Sequence, residues 1–262
     1  MDKVVGSAAE AVADIKDGST IAVGGFGLAG IPWILIDALL EQGASDLEIV
    51  SNNLGVDGQG LGKLLEAHRI RRAVSSYIGE NKEFMRQYMA GELEVELTPQ
   101  GTLAERLRAG GAGIGAFFTP SGVGTVVANG GMPWRYHEDG SVQVSSPAKE
   151  VREFNGRRMV LETGIVADVA LVRAAIADRH GNLRFHAAAQ NFNPPAAMSG
   201  RLTIVEAEQV VEAGELDPAD VHVPGVFVNR IVQLTPEQAN AKLIEKRTTT
   251  PSPSTGSGTE EN

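Results

Sequence analysis

The stretch Asp17-Gly18-Ser19-Thr20-Ile21-Ala22-Val23-Gly24-Gly25-Phe26-Gly27-Leu28-Ala29-Gly30-Ile31-Pro32 organises the rest of the chain. Thr20 to Val23 is a short apolar run with β character; it breaks into a glycine-rich turn, and a new helix begins near Pro32. Gly24, Gly25, Gly27 and Gly30 remove Cβ atoms where a backbone bends sharply or comes close to a ligand. A helix that starts at Pro32 turns its unpaired N–H groups toward that loop, which suits an anion or a developing oxyanion. The alternative is a tight βα turn whose glycines serve geometry alone.

Outward from this stretch, Val4, Ala8, Ala11, Val12 and Ile15 recur at spacings of three and four and predict an amphipathic helix over residues 4–16. Beyond the loop, Ile34, Leu35, Ala38 and Leu39 predict a helix stopped by Gly43, and Leu47-Glu48-Ile49-Val50 predicts a strand. Strand, helix, strand implies two parallel neighbours joined by a right-handed crossover. The second strand runs into Ser51-Asn52-Asn53-Leu54-Gly55-Val56-Asp57-Gly58-Gln59-Gly60, polar and glycine-rich, at the carboxyl edge where open parallel sheets collect ligands. A helix over 61–67, a strand over 73–77 and a helix over 82–89 with Phe84 and Tyr88 on one face follow. Residues 93–97 alternate as a half-exposed strand, and Thr98-Pro99-Gln100-Gly101-Thr102 opens a helix that carries Leu103 and Leu107.

Beyond residue 113, Pro120, Gly122, Gly124, Gly130, Gly131 and Pro133 punctuate short segments, as in a long and partly irregular connection. Asn155-Gly156 is a hairpin signal between strands. Residues 169–174 and 183–186 on either side of a turn predict a second antiparallel pair, and 202–206 and 226–232 predict further strands. The expected fold is α/β, an open, mostly parallel sheet flanked by helices, with β-rich hairpins in the C-terminal half. One domain is expected over residues 1–246. Residues 247–262 are almost all Thr, Ser, Pro, Gly and Glu, the composition of a disordered tail.

The 262 residues include 23 Lys and Arg against 33 Asp and Glu, a formal net charge of −10. That balance, with no basic cluster, argues against nucleic-acid or anionic-membrane partners, so any bound anion is held locally. There is no Cys, which removes disulfides, thiolate nucleophiles and iron–sulfur ligation from the chain's own chemistry. His68, His137, His180, His186 and His222 show no ligand spacing, so no metal site is expected. No apolar run reaches the length of a membrane span and the start lacks a signal-peptide core, so a cytoplasmic location is expected.

Gly25-Phe26-Gly27-Leu28-Ala29-Gly30 satisfies G-x-G-x-x-G between a strand and a helix, which keeps an NAD-dependent oxidoreductase open. The acid that would hold the ribose hydroxyls is missing, since the second strand ends in Ser51-Asn52-Asn53 and Glu48 lies inside it. Asn52, Asn53, Gln59, Ser75, Ser76, Asn81 and Gln100 gather at predicted loop ends, where uncharged groups orient a carboxylate or thioester or simply cap turns. Glu80 follows a strand and reads as a first-turn acid of the next helix rather than a nucleophile. No Ser, His and Asp set and no G-x-S-x-G is present.

The opening stretch, an acidic residue and Gly18 followed by Gly24-Gly25-Phe26, Gly30 and Pro32, resembles the signature of the first subunit of family I CoA-transferases. Ser51-Asn52-Asn53, Gly79-Glu80-Asn81, Gly91 to Arg106, Val151-Arg152-Glu153-Phe154 and Asn191-Phe192-Asn193 extend the likeness to the α subunit of the succinyl-CoA:3-oxoacid CoA-transferases, over residues 3 to about 235. The resemblance implies covalent chemistry on a glutamate within a Ser-Glu-Asn-Gly motif of a second subunit. Glu80-Asn81 is followed by Lys82 and does not match, so no catalytic residue is expected in this chain and it is expected to be inactive alone. Coenzyme A is then a substrate, and no permanently bound cofactor is implied.

Within that resemblance Gly24, Gly25, Phe26, Gly27, Leu28, Ala29 and Gly30 are the CoA-binding loop, and Asn52, Asn53 and Gln100 are candidate contacts to the acyl group or its carboxylate. The implied partners are a β subunit, in a heterodimer or heterotetramer, with an acyl-CoA and a 3-oxo acid as substrates. Acetoacetate is the favoured acceptor and 3-oxoadipate the next; a CoA-binding module without turnover is the remaining alternative. Three departures from the family pattern stand out: Trp33-Ile34 after Gly-Ile-Pro, Gly115 and Phe118 before Thr-Pro, and Ala187-Ala188-Ala189-Gln190, which lacks two cations.

Overall fold

Thr20–Val23 forms a strand buried on both faces, with Ile21 and Val23 in one apolar cluster and Ala22 in the other. The computed structural model describes residues 1–79 and 81–242. Glu80 and the proposed tail at 247–262 lie outside the described residues.

The strands are β1 (Val4–Val5), β2 (Thr20–Val23), β3 (Leu47–Ser51), β4 (Ile70–Ser75), β5 (Glu94–Leu97), β6 (Ala116–Thr119), β7 (Pro133–Tyr136), β8 (Val142–Ser145), β9 (Val151–Phe154), β10 (Arg157–Thr163), β11 (Ala167–Asp178), β12 (Leu183–Arg184), β13 (Gly200–Val211) and β14 (Arg230–Gln233). The helices are α1 (Ala8–Val12), α2 (Trp33–Gln42), α3 (Gly62–Glu66), α4 (Lys82–Met89), α5 (Gln100–Gly111), α6 (Val126–Asn129), α7 (Asn193–Ser199) and α8 (Pro236–Asn240).

Eight strands form one parallel path in the order β1-β14-β13-β11-β2-β3-β4-β5, and β12 adds an antiparallel turn to β11. From β2 the chain moves outward through β3, β4 and β5; it then returns to the other side of β2 and moves away through β11, β13 and β14. The direction of winding therefore reverses between β2 and β11, the position where open parallel sheets leave a crevice beyond their carboxyl ends. Residues of α1 to α4 pack in one apolar cluster and residues of α5 and α7 in the other, which gives three layers.

Several expectations change. The 4–16 helix is two elements, because Val4 and Val5 pair in parallel with Ile231 and Val232 and only Ala8–Val12 is helical. The predicted 226–232 strand starts at Arg230; Asn229 is held beside Thr203 by reciprocal bonds, and Gly225–Phe227 form a 3₁₀ turn. Beyond residue 113 the chain builds a three-stranded sheet, β6-β10-β9, and the β7-β8 hairpin. Glu96 in β5 is buried because Arg106 and Arg72 clamp its carboxylate at 2.6 and 2.5 Å. The strand predicted to end at Tyr77 ends at Ser75, and the hairpin at Asn155-Gly156 joins β9 and β10 as expected.

Phe84 is fully buried on α4 while its neighbour Met85 is exposed. Phe84→Ala should cost about 3–5 kcal/mol by cavity formation, and Met85→Ala should stay within about 0.5 kcal/mol, both read from urea unfolding midpoints.

Candidate functional site

The glycine loop sits at the winding reversal. It leaves β2 as Gly24 donates to the Leu171 carbonyl of β11 at 2.9 Å. Phe26 and Ala29 then exchange two backbone hydrogen bonds of 3.0 Å, which closes a tight turn with Gly27 and Leu28 at its tip. The amides of Gly27 and Leu28 have no acceptor among the described residues. Gly27 has φ +60°, and a Cβ there would meet open space. It is a glycine because of its backbone conformation and not because of a neighbour.

Gly24 is a glycine for a different reason. A Cβ there would stand 2.0 Å from Oδ1 of Asn193, which is fully buried. Asn193 donates through Nδ2 to the carbonyls of Gly30 at 2.9 Å and Ala189 at 2.8 Å, and its Oδ1 accepts from the Arg173 amide at 3.1 Å. Asn191 reaches the same loop, donating to the Ala29 carbonyl at 3.1 Å. The Asn191-Phe192-Asn193 motif is thus the clamp of the glycine loop, more than 160 residues away in sequence.

A second turn of the same shape follows β3. Val56 and Gln59 bridge across it, and Gly60 packs so close to Ile31 that a Cβ would stand 2.9 Å from its Cδ1. Between the two loops lies a cavity of about 230 Å³ lined by Leu28, Ile31, Trp33, Gly60, Lys63 and Arg173, among others. Trp33, one of the departures from the family pattern, therefore faces the site as the first residue of α2. The Ala187–Gln190 departure forms a 3₁₀ turn whose Ala189 carbonyl holds Asn193.

The other candidates divide. Asn52 and Asn53 are buried at the carboxyl end of β3, but the Asn52 amide is committed to Ser76 Oγ at 2.8 Å, and its carbonyl accepts from Ser75 and Ser76. Asn81 caps α4. Gln100 is exposed in the first turn of α5, beyond β5 and two strand positions from β3. Asn52, Asn53 and Gln100 follow the carboxyl ends of β3 and β5, along the same sheet edge as the glycine loop. Exposed Phe26 and Tyr77 stand on that edge as well. Glu48 is paired with Arg72 at 3.3 Å, and the end of β3 supplies no acid for a ribose. Among the described residues no group of His, Asp and Glu could hold a metal ion, and no helix is long and apolar enough to cross a membrane.

Missed from the sequence is a buried charge cluster beneath the loop. Arg173 of β11 and Glu206 of β13 are register partners, joined by 3.1 Å from Nη1 to Oε1. Arg173 also holds Glu208 at 3.0 Å, and Glu208 holds Lys242 at 2.7 Å. Glu206, with no exposed surface, accepts from the Leu35 amide at 3.0 Å in the first turn of α2. Burial pushes its carboxyl up to about 7, against the opposing pull of Arg173 and the helix amides. The visible signal was an Arg within the apolar run of β11 and a Glu after Ile204 and Val205 in β13, but strand pairing is needed to see that they meet.

The coenzyme A transferase family model matches residues 5–234. Over 248 residues the chain is 66% identical to the A subunit of a probable succinyl-CoA:3-ketoacid coenzyme A transferase of Mycobacterium bovis, covering 95% of this chain and 99% of that one. It is 55% identical over 235 residues to the A subunit of the Xanthomonas campestris succinyl-CoA:3-ketoacid coenzyme A transferase, covering 89% and 88%. With the human mitochondrial succinyl-CoA:3-ketoacid coenzyme A transferase 2 it shares 52% over 239 residues, 91% of this chain and 46% of that protein. Among solved structures, an acyl-CoA transferase of Escherichia coli O157:H7 in a thioester complex with CoA superposes with a TM-score of 0.74 at 24% identity, covering 90% of this chain and 48% of that one. Glutaconate coenzyme A-transferase from Acidaminococcus fermentans gives 0.73 at 22% identity, covering 92% and 78%. Both share the fold. The chain belongs to the coenzyme A transferase family.

Two measurements probe this site. Gly24→Ala should destabilise toward the upper end of about 1–3 kcal/mol, because the Asn193 amide must move, while Gly27→Ala should cost about 1 kcal/mol of backbone strain; thermal unfolding separates them. Because the Glu206 pKa is raised on folding from 4.5 to about 7, its stabilising contribution is complete below 4.5 and is lost as pH rises through 7. Against Glu206→Gln, the wild-type protein should therefore lose stability between these pH values, as read from unfolding midpoints across pH.

Proposed function

We propose that this chain is the α subunit of a cytoplasmic, two-subunit CoA-transferase that moves CoA from succinyl-CoA to a 3-oxo acid, with acetoacetate the favoured acceptor. The observation that carries this is the 66% identity to an A subunit named for that activity, matched over 99% of its length. A single domain over residues 1–246 is part of this reading, and the family match over 5–234 supports it for those residues. No Ser-Glu-Asn-Gly occurs in the sequence, so the nucleophilic glutamate is assigned to a β subunit.

In this scheme the glutamate carboxylate attacks the succinyl thioester, expels CoA thiolate and becomes a mixed anhydride. The thiolate attacks the glutamyl carbonyl of the anhydride, which releases succinate and leaves a glutamyl-CoA thioester. The acceptor carboxylate and the same thiolate repeat the two steps in reverse order, giving the new acyl-CoA and the free glutamate. Each addition to a carbonyl places negative charge on its oxygen. The Gly27 and Leu28 amides at the loop tip, without an acceptor among the described residues, are suited to receive that charge, and the loop from Gly24 to Gly30 to hold the CoA. Asn52, Asn53 and Gln100 are assigned to the acyl group or its carboxylate, with the Asn52 side chain first having to leave Ser76. CoA enters as substrate, and the scheme needs no permanent cofactor.

The test is transfer from succinyl-CoA to acetoacetate by the purified chain, alone and combined with a partner chain that carries Ser-Glu-Asn-Gly. The pair should form acetoacetyl-CoA and the chain alone should not. Transfer by the lone chain would overturn the split site, and a pair inert toward every 3-oxo acid would overturn the function.

A further inference from the structure

The buried charge cluster beneath the glycine loop has no part in the chemistry above, yet it grips the loop from two sides. The residue at the N-cap of α2 is Pro32, which supplies no side-chain cap. The acceptor for its first turn comes instead from Glu206, 171 positions away on β13. A local cap would satisfy the helix wherever the helix went; a cap on a central strand fixes the helix to the sheet. On the other side the main-chain amide of Arg173, whose side chain pairs with Glu206, donates to Asn193, and Asn193 holds the Gly30 carbonyl. Gly30 and Leu35 bracket the loop exit: Gly30 is tied through Asn193 to the backbone of β11, and Leu35 to the Glu206 carboxylate that pairs with the Arg173 side chain.

We propose that Glu206, acting with Arg173, is a positioning residue for CoA transfer: it fixes the loop exit and the first turn of α2 so that the Gly27 and Leu28 amides face the reacting carbonyl. The inference rests on the function proposed above. A buried ion pair is a weak device for stability, since an apolar pair of equal volume often does as well, so its value here lies in orientation. The charged groups around Glu206 are Arg173 from β11, Glu208 from β13 and Lys242 after α8; Asp37 on α2 is engaged with Lys63 at 2.6 Å. Two cations meet two carboxylates, so protonation of Glu206 unbalances the cluster. The raised pKa places that change near neutrality.

The test uses the two-subunit enzyme with Trp134→Phe in this chain, which leaves Trp33, the first residue of α2, as its one tryptophan. Glu206→Gln keeps the shape and an acceptor for Leu35 but removes the charge. It should lower kcat by roughly ten- to a hundredfold while KM for succinyl-CoA stays within about twofold. The Trp33 emission, recorded with the chain's tryptophan-free variant Trp33→Phe/Trp134→Phe in the same pair as blank, should titrate with a midpoint near 7 in the Trp134→Phe protein and lose that transition with Glu206→Gln. A kcat equal to that of the parent, or an emission that ignores both the substitution and pH, would overturn the proposal. If Glu206→Gln does not fold, Glu206→Asp, which keeps the charge but falls short of the Leu35 amide, takes its place, and a kcat equal to that of the parent overturns the proposal. The fluorescence needs no substrate, so an inert parent pair would count against the proposed function and leave this inference separately decided.

Discussion

One buried amide holds the site together. Asn193 occupies the space that any side chain at position 24 would need, accepts from the Arg173 amide and donates to the Gly30 carbonyl. It thereby joins the strand that enters the glycine loop, the strand beside it and the loop's exit. Its three bonds are made away from water, where losing a partner costs the full desolvation of whatever is left unpaired. The loop can be rich in glycine and still have one shape because this side chain supplies the rigidity that its own residues lack.

That rigidity matters for a site with little charge of its own to offer. The protein carries a net charge of −10, and the cations near the loop are already matched: Arg173 and Lys242 by glutamates, Lys63 by Asp37. What remains for a developing oxyanion in the proposed scheme is backbone N–H, which stabilises charge only when it is held in advance of the reaction. The winding reversal provides the place, since the sheet parts beyond β2 and β11 just where the loop emerges. The exposed Phe26 and Tyr77 on the same edge are consistent with a surface that a second subunit covers in the proposed scheme.

The sequence was most legible where a signal is local. Thr20–Val23, the Gly43 stop, the α4 boundaries and the Asn155-Gly156 hairpin came directly from periodicity, capping and turn chemistry. It misled where long-range pairing overrides local preference. Val4 and Val5 fit a helical stripe but are recruited by β14, and Glu96 looks solvent-facing but is buried by two arginines. The glycine loop was found from its own residues, and so were the polar groups at the ends of β3 and β5. The Arg173 and Glu206 pair was not, because neither strand shows by itself that the two side chains are register partners until β11 and β13 are laid side by side.

By itself, then, the sequence determined the alternation of strands and helices, the glycine loop after β2 and the absence of thiol chemistry, because each follows from neighbours within a few residues or from composition. Only the tertiary structure decided which glycine is required by space and which by backbone angle, that Asn193 clamps the loop, and that Glu206 caps α2 from across the sheet. Those facts depend on contacts between residues more than 160 positions apart, and such contacts exist only once the order and register of the strands are set.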